Sequence, residues 1–284
     1  MTLQELCRHD KTPRPWRLDI FQREVGGGRA TLVDLERIEE HPEATALTIS
    51  GLDQRIFEAL VSRYGSQFTA IHFWKCPRIS DLTALESLPQ LTHVAFYWNQ
   101  RTERFWNFAK TPRLHGLQFD DFTRLHDLSP LEQATTLHEL RFGNMIWSTA
   151  TYFSLEPLRH LTSLRTLSFD AKRIDDGRVQ PLATLQQLES LGFPGHQFTT
   201  EQVAWLRAHL PDSLRSPAIE ACRTLARPLP SGKGPQKDTL LVGKRKPFLN
   251  SDAHAARIAR HVAEFQRMVE NFRQHPEQEP APTH

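Results

Sequence analysis

Cysteine is scarce in this chain of 284 residues: Cys7, Cys76 and Cys222 are all it has, at wide spacing and with no C-x-x-C pair. An odd, dispersed set excludes a disulfide framework and gives no paired thiolates for zinc. Long apolar runs are also missing. No stretch approaches the ~18 residues that would cross a bilayer as a helix. The opening residues, MTLQELCRHDKTPRPW, lack the basic start and apolar centre of an export signal. These absences predict a cytoplasmic protein with no membrane partner. Charge of one sign is lacking as well. The formal net charge is +2, too small for bulk attraction to nucleic acid or an anionic surface. Catalytic motifs do not occur. There is no G-x-S-x-G, and Gly232-Lys233 is followed by Gly234 where a phosphate loop needs Ser or Thr. The 14 histidines include no H-E-x-x-H, so no metal, no cofactor and no enzymatic activity are expected.

What is present is a repeat. The unit apolar-x-x-apolar-x-Phe recurs as Phe68–Phe73, Leu91–Phe96, Leu114–Phe119, Leu137–Phe142, Leu164–Phe169 and Leu188–Phe193. Successive copies start 23, 23, 23, 27 and 24 residues apart, and a weaker copy, ATALTIS, covers 44–50. Between these units, apolar residues fall every three positions: Ile79, Leu82, Leu85, Leu88; Leu125, Leu128, Leu131; Leu155, Leu158, Leu161; Val179, Leu182, Leu185. Spacing of three suits a short 3-10 or helical return with one buried edge. The period lies in the leucine-rich-repeat range of roughly 20–29 residues. The fold class is therefore α/β: a solenoid with parallel strands on its concave face, short return segments behind them, and a cap at each end.

The phrases ISDL (79–82) and LHDLSPL (125–131), each preceding the next strand unit, resemble the short repeats of internalins and similar bacterial leucine-rich-repeat proteins. The resemblance runs over about 44–210 and implies the fold. Two departures limit it. The turn asparagine expected three positions after the Phe occurs only at Asn99, the other copies having Cys76, Phe122, Met145, Lys172 and His196. The export signal and surface anchor of secreted internalins are not read here, so a host-cell adhesion role is not implied.

The chain divides into an N-terminal cap (1–43), the solenoid (44–211), a C-terminal cap and linker (212–250), an amphipathic basic helix (251–273) and a disordered tail (274–284). In the cap, Gly26-Gly27-Gly28 reads as a turn, and Leu32, Leu35 and Ile38 as a helical edge. A helix starting near Thr199 takes Thr200 as N-cap and buries Val203, Leu206 and Leu210. ARPLPSGKGPQK (226–237) reads as an exposed linker, and TLLV (239–242) as a short strand. Asn250 or Ser251 is expected to cap a helix over 252–273. Its stripe of Ile258, Val262, Phe265, Val269 and Phe272 predicts docking on the solenoid rather than a coiled coil. Residues 223–273 hold 11 Lys/Arg, Lys233 among them, against four acids, so this module is +7 on a body of −5.

Side chains alternate faces along a strand. With the Leu and Phe positions inward, the concave rows read Ala70-His72-Trp74, His93-Ala95-Tyr97, Gly116-Gln118-Asp120, Glu139-Arg141-Gly143, Thr166-Ser168-Asp170 and Ser190-Gly192-Pro194, with Trp98 and Asp121 at the rim. Trp and Tyr beside charges are the types enriched in binding hot spots. A monomer is expected whose concave face binds a protein partner through His72, Trp74, His93, Tyr97, Trp98, Gln118, Asp120, Asp121, Glu139, Arg141 and Asp170, as an adaptor, a regulator or an immunity-type protein. The alternative is nucleic acid held by the basic C-terminal segment. Neither Trp98–Arg113 nor Lys244-Arg245-Lys246 makes the broad patch that phosphate binding needs.

Overall fold

In the computed structural model, residues 1–8, 14–24, 26–232 and 234–283 are described; Lys233 and His284, included in the readings above, lie outside them. The strands of the repeat units form one parallel sheet. Its order is β1 (Arg17–Ile20), β2 (Ala46–Ser50), β3 (Ala70–Trp74), β4 (His93–Asn99), β5 (Gly116–Phe122), β6 (Glu139–Gly143), β8 (Thr166–Asp170) and β10 (Ser190–Gly192). β7 (Thr151–Tyr152) and β9 (Arg173–Ile174) pair separately. The N-terminal cap therefore supplies a strand as well as its short helix α2 (Leu32–Glu36).

The register is the one the repeat predicts. Phe73, Phe96, Phe119, Phe142 and Phe169 occupy matching positions on neighbouring strands and are buried. Strands lie about 4.8 Å apart, which brings rings at one height into stacking range. Phe119 stacks on Phe142 at 5.1 Å and Phe142 on Phe169 at 5.3 Å. The first return is a full helix, α3 (Gln54–Tyr64); later ones are 3-10 turns at Thr83–Ser87, Phe108–Lys110, Ser129–Gln133, Glu156–His160 and Gln180–Thr184. Three of these begin with proline at their first or second position, where a missing N–H costs nothing. Asn99 makes the one asparagine rung expected: its amide donates to the Cys76 and Ile79 carbonyls and accepts from Arg101 and Thr102 N–H.

The C-terminal cap opens with α4 (Thr200–His209). Thr199, not Thr200, is its N-cap, because its hydroxyl accepts from Gln202 N–H. The expected linker at 226–237 is instead part of a hairpin. β11 (Cys222–Leu229) and β12 (Lys237–Leu241) pair antiparallel, with β13 (Phe248–Leu249) alongside. The Thr and Leu residues of β11 and β12 suit such a half-exposed pair of strands despite Pro228. The last helix, α5 (Ala255–Gln274), starts later than expected, since the Asn250 side chain closes a turn over 252–253 ahead of it. It packs on α4 and buries Phe265, Val269 and Phe272.

The tail corrects the expectation of disorder. Trp205 Nε1 donates to the Gln278 carbonyl at 2.9 Å, Gln180 to Glu279 at 3.1 Å, and Gln202 to the Ala281 carbonyl at 3.3 Å. Thr283 N–H donates to the Gly177 carbonyl. Gly177 has φ +59°, and a Cβ there would lie 2.0 Å from the Thr283 carbonyl oxygen, so only glycine fits. A Pro-rich segment keeps its carbonyls as acceptors, and here donors on α4 and the last return use them.

Candidate functional site

The concave face is not open along its whole length. The four-residue helix α1 (Leu3–Leu6) lies on it against β3, β4 and β5. Thr2 and Glu5 cap the helix reciprocally. Leu3 and Leu6 are buried on a floor of Ala46, Ala70 and Ala95. Gly116 completes that floor: a Cβ there would come within 2.4 Å of the His93 ring and 3.1 Å of Leu3 Cγ. Polar bonds hold the helix at both ends. Leu3 N–H donates to Glu139 at 2.9 Å, and Cys7 Sγ donates to Gln118 Oε1 at 3.3 Å. Arg17, from β1, donates to the Glu5 and Arg8 carbonyls. Burying two leucines contributes about 3–6 kcal/mol. Ordering each residue of the segment costs about 1–2 kcal/mol, so the helix docks with little to spare.

The structure corrects the expected site. His72, His93, Gln118 and Asp120 are buried rather than presented to a partner. Asp121 is 1% exposed because its carboxylate is committed to a loop described below. His72 and His93 lie on adjacent strands but two positions out of register. Among the described residues no three His, Cys, Asp or Glu side chains converge as a metal site.

Burial sets the electrostatics beneath α1. It pushes the Cys7 thiol up to about 12, so this cysteine is no nucleophile while docked. It pushes Asp120 up to about 6, against the pull of Arg141, whose Nε lies 3.4 Å from the carboxylate. It drives His93 down to about 4. Gln118 ties the set together, donating to Asp120 at 2.6 Å. Asp120 and His93 affect stability in opposite directions. Asp120 has a folded pKa above its unfolded value, so the fold binds extra protons at low pH and loses that stability as pH rises from about 4 to about 6. His93, shifted down, gains stability with pH over a similar window. Asn at 120 removes the first effect alone. The melting temperature of Asp120→Asn minus that of the parent should grow between pH 4 and pH 6; a flat or shrinking difference would show that Asp120 ionises freely.

The open part of the expected surface is its carboxyl-side rim. Trp74, Tyr97, Asp120, Gly143 and Asp170 form one lateral row across β3 to β8, with Asp120 and Gly143 buried within it. Trp74 and Tyr97 are half-buried with parallel rings 6.4 Å apart, and Phe21 packs edge-on to Trp74. Arg141 and Asp170 are half-exposed beyond them, whereas Glu139 lies at the amino end of β6 and is engaged by α1. Next to this row is a feature the sequence reading missed. The long 27-residue repeat places a loop after β6, where Met145, Ile146 and Trp147 stand exposed, Ile146 at 59%, and Phe153 is exposed just past β7. Asp121 organises the loop: its carboxylate accepts from the N–H groups of Met145, Ile146 and Trp147 at 2.9, 2.9 and 3.2 Å. Asn144 adds bonds from Thr149 and Ala150 N–H and donates to Asp170. The Trp147 ring lies 6.4 Å from Trp98. Only the repeat spacing, four residues longer than its predecessors, signals this loop in the sequence.

Comparison with solved structures agrees with the architecture. An internalin (inlF) of Listeria monocytogenes aligns at 22% identity with a TM-score of 0.51, over 67% of this chain and 51% of that one. A leucine-rich-repeat protein of Leptospira interrogans aligns at 16% identity with a TM-score of 0.48, over 70% and 47% of the two chains. Identity this low speaks to fold alone, and the chain spans about half the length of the internalin. No family model matches the chain, and no curated protein matches it. The fold is a leucine-rich-repeat solenoid, structurally similar to that of the internalin.

Proposed function

We propose that the chain is a non-enzymatic module that seats a protein partner along the carboxyl-side rim of its sheet. The apolar centre is Met145, Ile146 and Trp147 with Trp98 and Tyr97, and the border is Arg141 and Asp170. Leucine-rich-repeat folds serve generally as protein-interaction modules. Within that class, the observation that carries this reading is the loop itself. Three large apolar side chains stand in water although Asp121 fixes the backbone that bears them. A monomer gains nothing from an ordered apolar display, whereas a partner that covers it finds the ordering already done. The cellular role is that of an adaptor, a regulator or an immunity-type protein acting in the cytoplasm.

A photo-crosslinking residue at Ile146, expressed in the native host, tests the rim. A discrete protein adduct should form from 146 and not from Glu132, which is exposed on the returns. With the partner in hand, Trp147→Ala should weaken binding by about 1–3 kcal/mol. Unchanged affinity in both Trp147→Ala and Tyr97→Ala would move the interface elsewhere.

A further inference from the structure

We propose that the floor beneath α1 is a receptor for a short amphipathic helix of the partner, and that α1 is its resting occupant. This rests on the reading above that the chain seats a protein partner, and names what the concave floor beside the rim recognises.

The two leucines of α1 pack in a cluster of their own, with Ala46, Ala70 and Ala95, apart from the core inside the solenoid. The helix therefore adds nothing to the packing between repeats; it covers a surface the sheet has already completed. That surface is shaped for a helix. Its residues are small where α1 lies, and Gly116 removes the one Cβ that would strike Leu3. Its polar atoms match helix chemistry too. Glu139 receives an N–H from the first turn, where the helix dipole favours a carboxylate, and Gln118 receives the Cys7 thiol just past the last turn.

The site is also larger than its occupant. A groove of about 820 Å³ runs beside α1 and past it over β6 and β8, lined by Thr2, Leu3, Gln118, Glu139, Arg141 and Ser168. α1 forms one wall of it and leaves the space over β6 and β8 empty. The occupant this geometry fits is a longer helix with two leucine-sized residues at i and i+3 in its first turns. A hydroxyl N-cap precedes them, and polar residues follow to face Arg141 and Ser168. Such a helix displaces α1 and reaches the rim loop from the concave side.

The test uses the full chain carrying Leu3→Asp and Leu6→Asp, which unseats α1, and a fluorescein-labelled synthetic peptide of residues 1–8 as the probe. In the parent chain the tethered α1 competes at an effective concentration in the millimolar range, so the peptide should bind the double variant at least roughly tenfold tighter. Adding Ala95→Arg to the double variant should abolish binding by filling the floor. The buried Cys76 thiol should stay unreactive throughout, reporting an intact solenoid. Equal binding to parent and variant overturns the proposal, and so does binding that survives Ala95→Arg. Reaction of Cys76 in the double variant overturns it too, because α1 would then be structural. Loss of the Ile146 crosslink speaks against the rim and leaves the peptide result standing.

Discussion

Phe119→Ala should lower the stability of the chain by about 3–5 kcal/mol, the range for removing a large buried aromatic side chain. The ring is fully buried in the middle of the solenoid. It stacks on Phe142 with planes 9° apart and meets Phe105, Phe122 and Tyr152 edge-on. Because repeats contact mainly their neighbours, a defect in a central repeat weakens the seams on both sides. Urea unfolding followed by far-UV dichroism should show a lower midpoint and, where the seam fails first, two transitions in place of one. A loss under about 1 kcal/mol would mean that the neighbouring rings close over the gap.

The second large effect is local. Asp121→Ala removes the acceptor of three backbone N–H groups, and hydrogen bonds to a charged group are worth about 1.5–3 kcal/mol each. Water recovers part of this for an exposed loop, so a cost of about 3 kcal/mol is expected, concentrated at 144–150. Amide exchange at Met145, Ile146 and Trp147 should accelerate, and Trp147 emission should shift to the red, while amides of β4 keep their protection. Asp121→Asn keeps one carbonyl oxygen and should fall between. Unaltered protection of the three amides in Asp121→Ala would show that the loop holds its shape by other means. Partner affinity should fall with loop order, since the apolar side chains would no longer be held ready.

The parts of the fold that were legible in the sequence are those fixed by period. Phe73 through Phe169 recur because each strand repeats one inward pattern, and the apolar triplets give the returns for the same reason. The parts not legible depend on single contacts between distant segments. Leu3 and Leu6 form one i, i+3 pair, too short to show periodicity, and nothing in LQEL says which surface it covers. The usable signal lay elsewhere: Ala46, Ala70, Ala95 and Gly116 leave a hollow at the aromatic end of the sheet. Asp121 looked like a binding residue because its position is at the rim; its left-handed backbone, φ +55°, goes with a carboxylate turned onto the neighbouring loop. The tail looked disordered because composition reports side chains, whereas Gln278, Pro280 and Ala281 are held by their carbonyls.

A solenoid whose contacts are all between neighbours can be finished in the order in which it is made. Here the two ends break that order. Leu3 meets Glu139, 136 residues later in the chain, and Gln180 meets Pro280, 100 residues later. During synthesis α1 emerges before the strands it will cover, so it is among the last elements to find its seat. The seam at the last repeats likewise waits for residues 275–283. The middle of the sheet carries only short-range closures and forms early, while both coverings are late, long-range steps with the larger loop entropy.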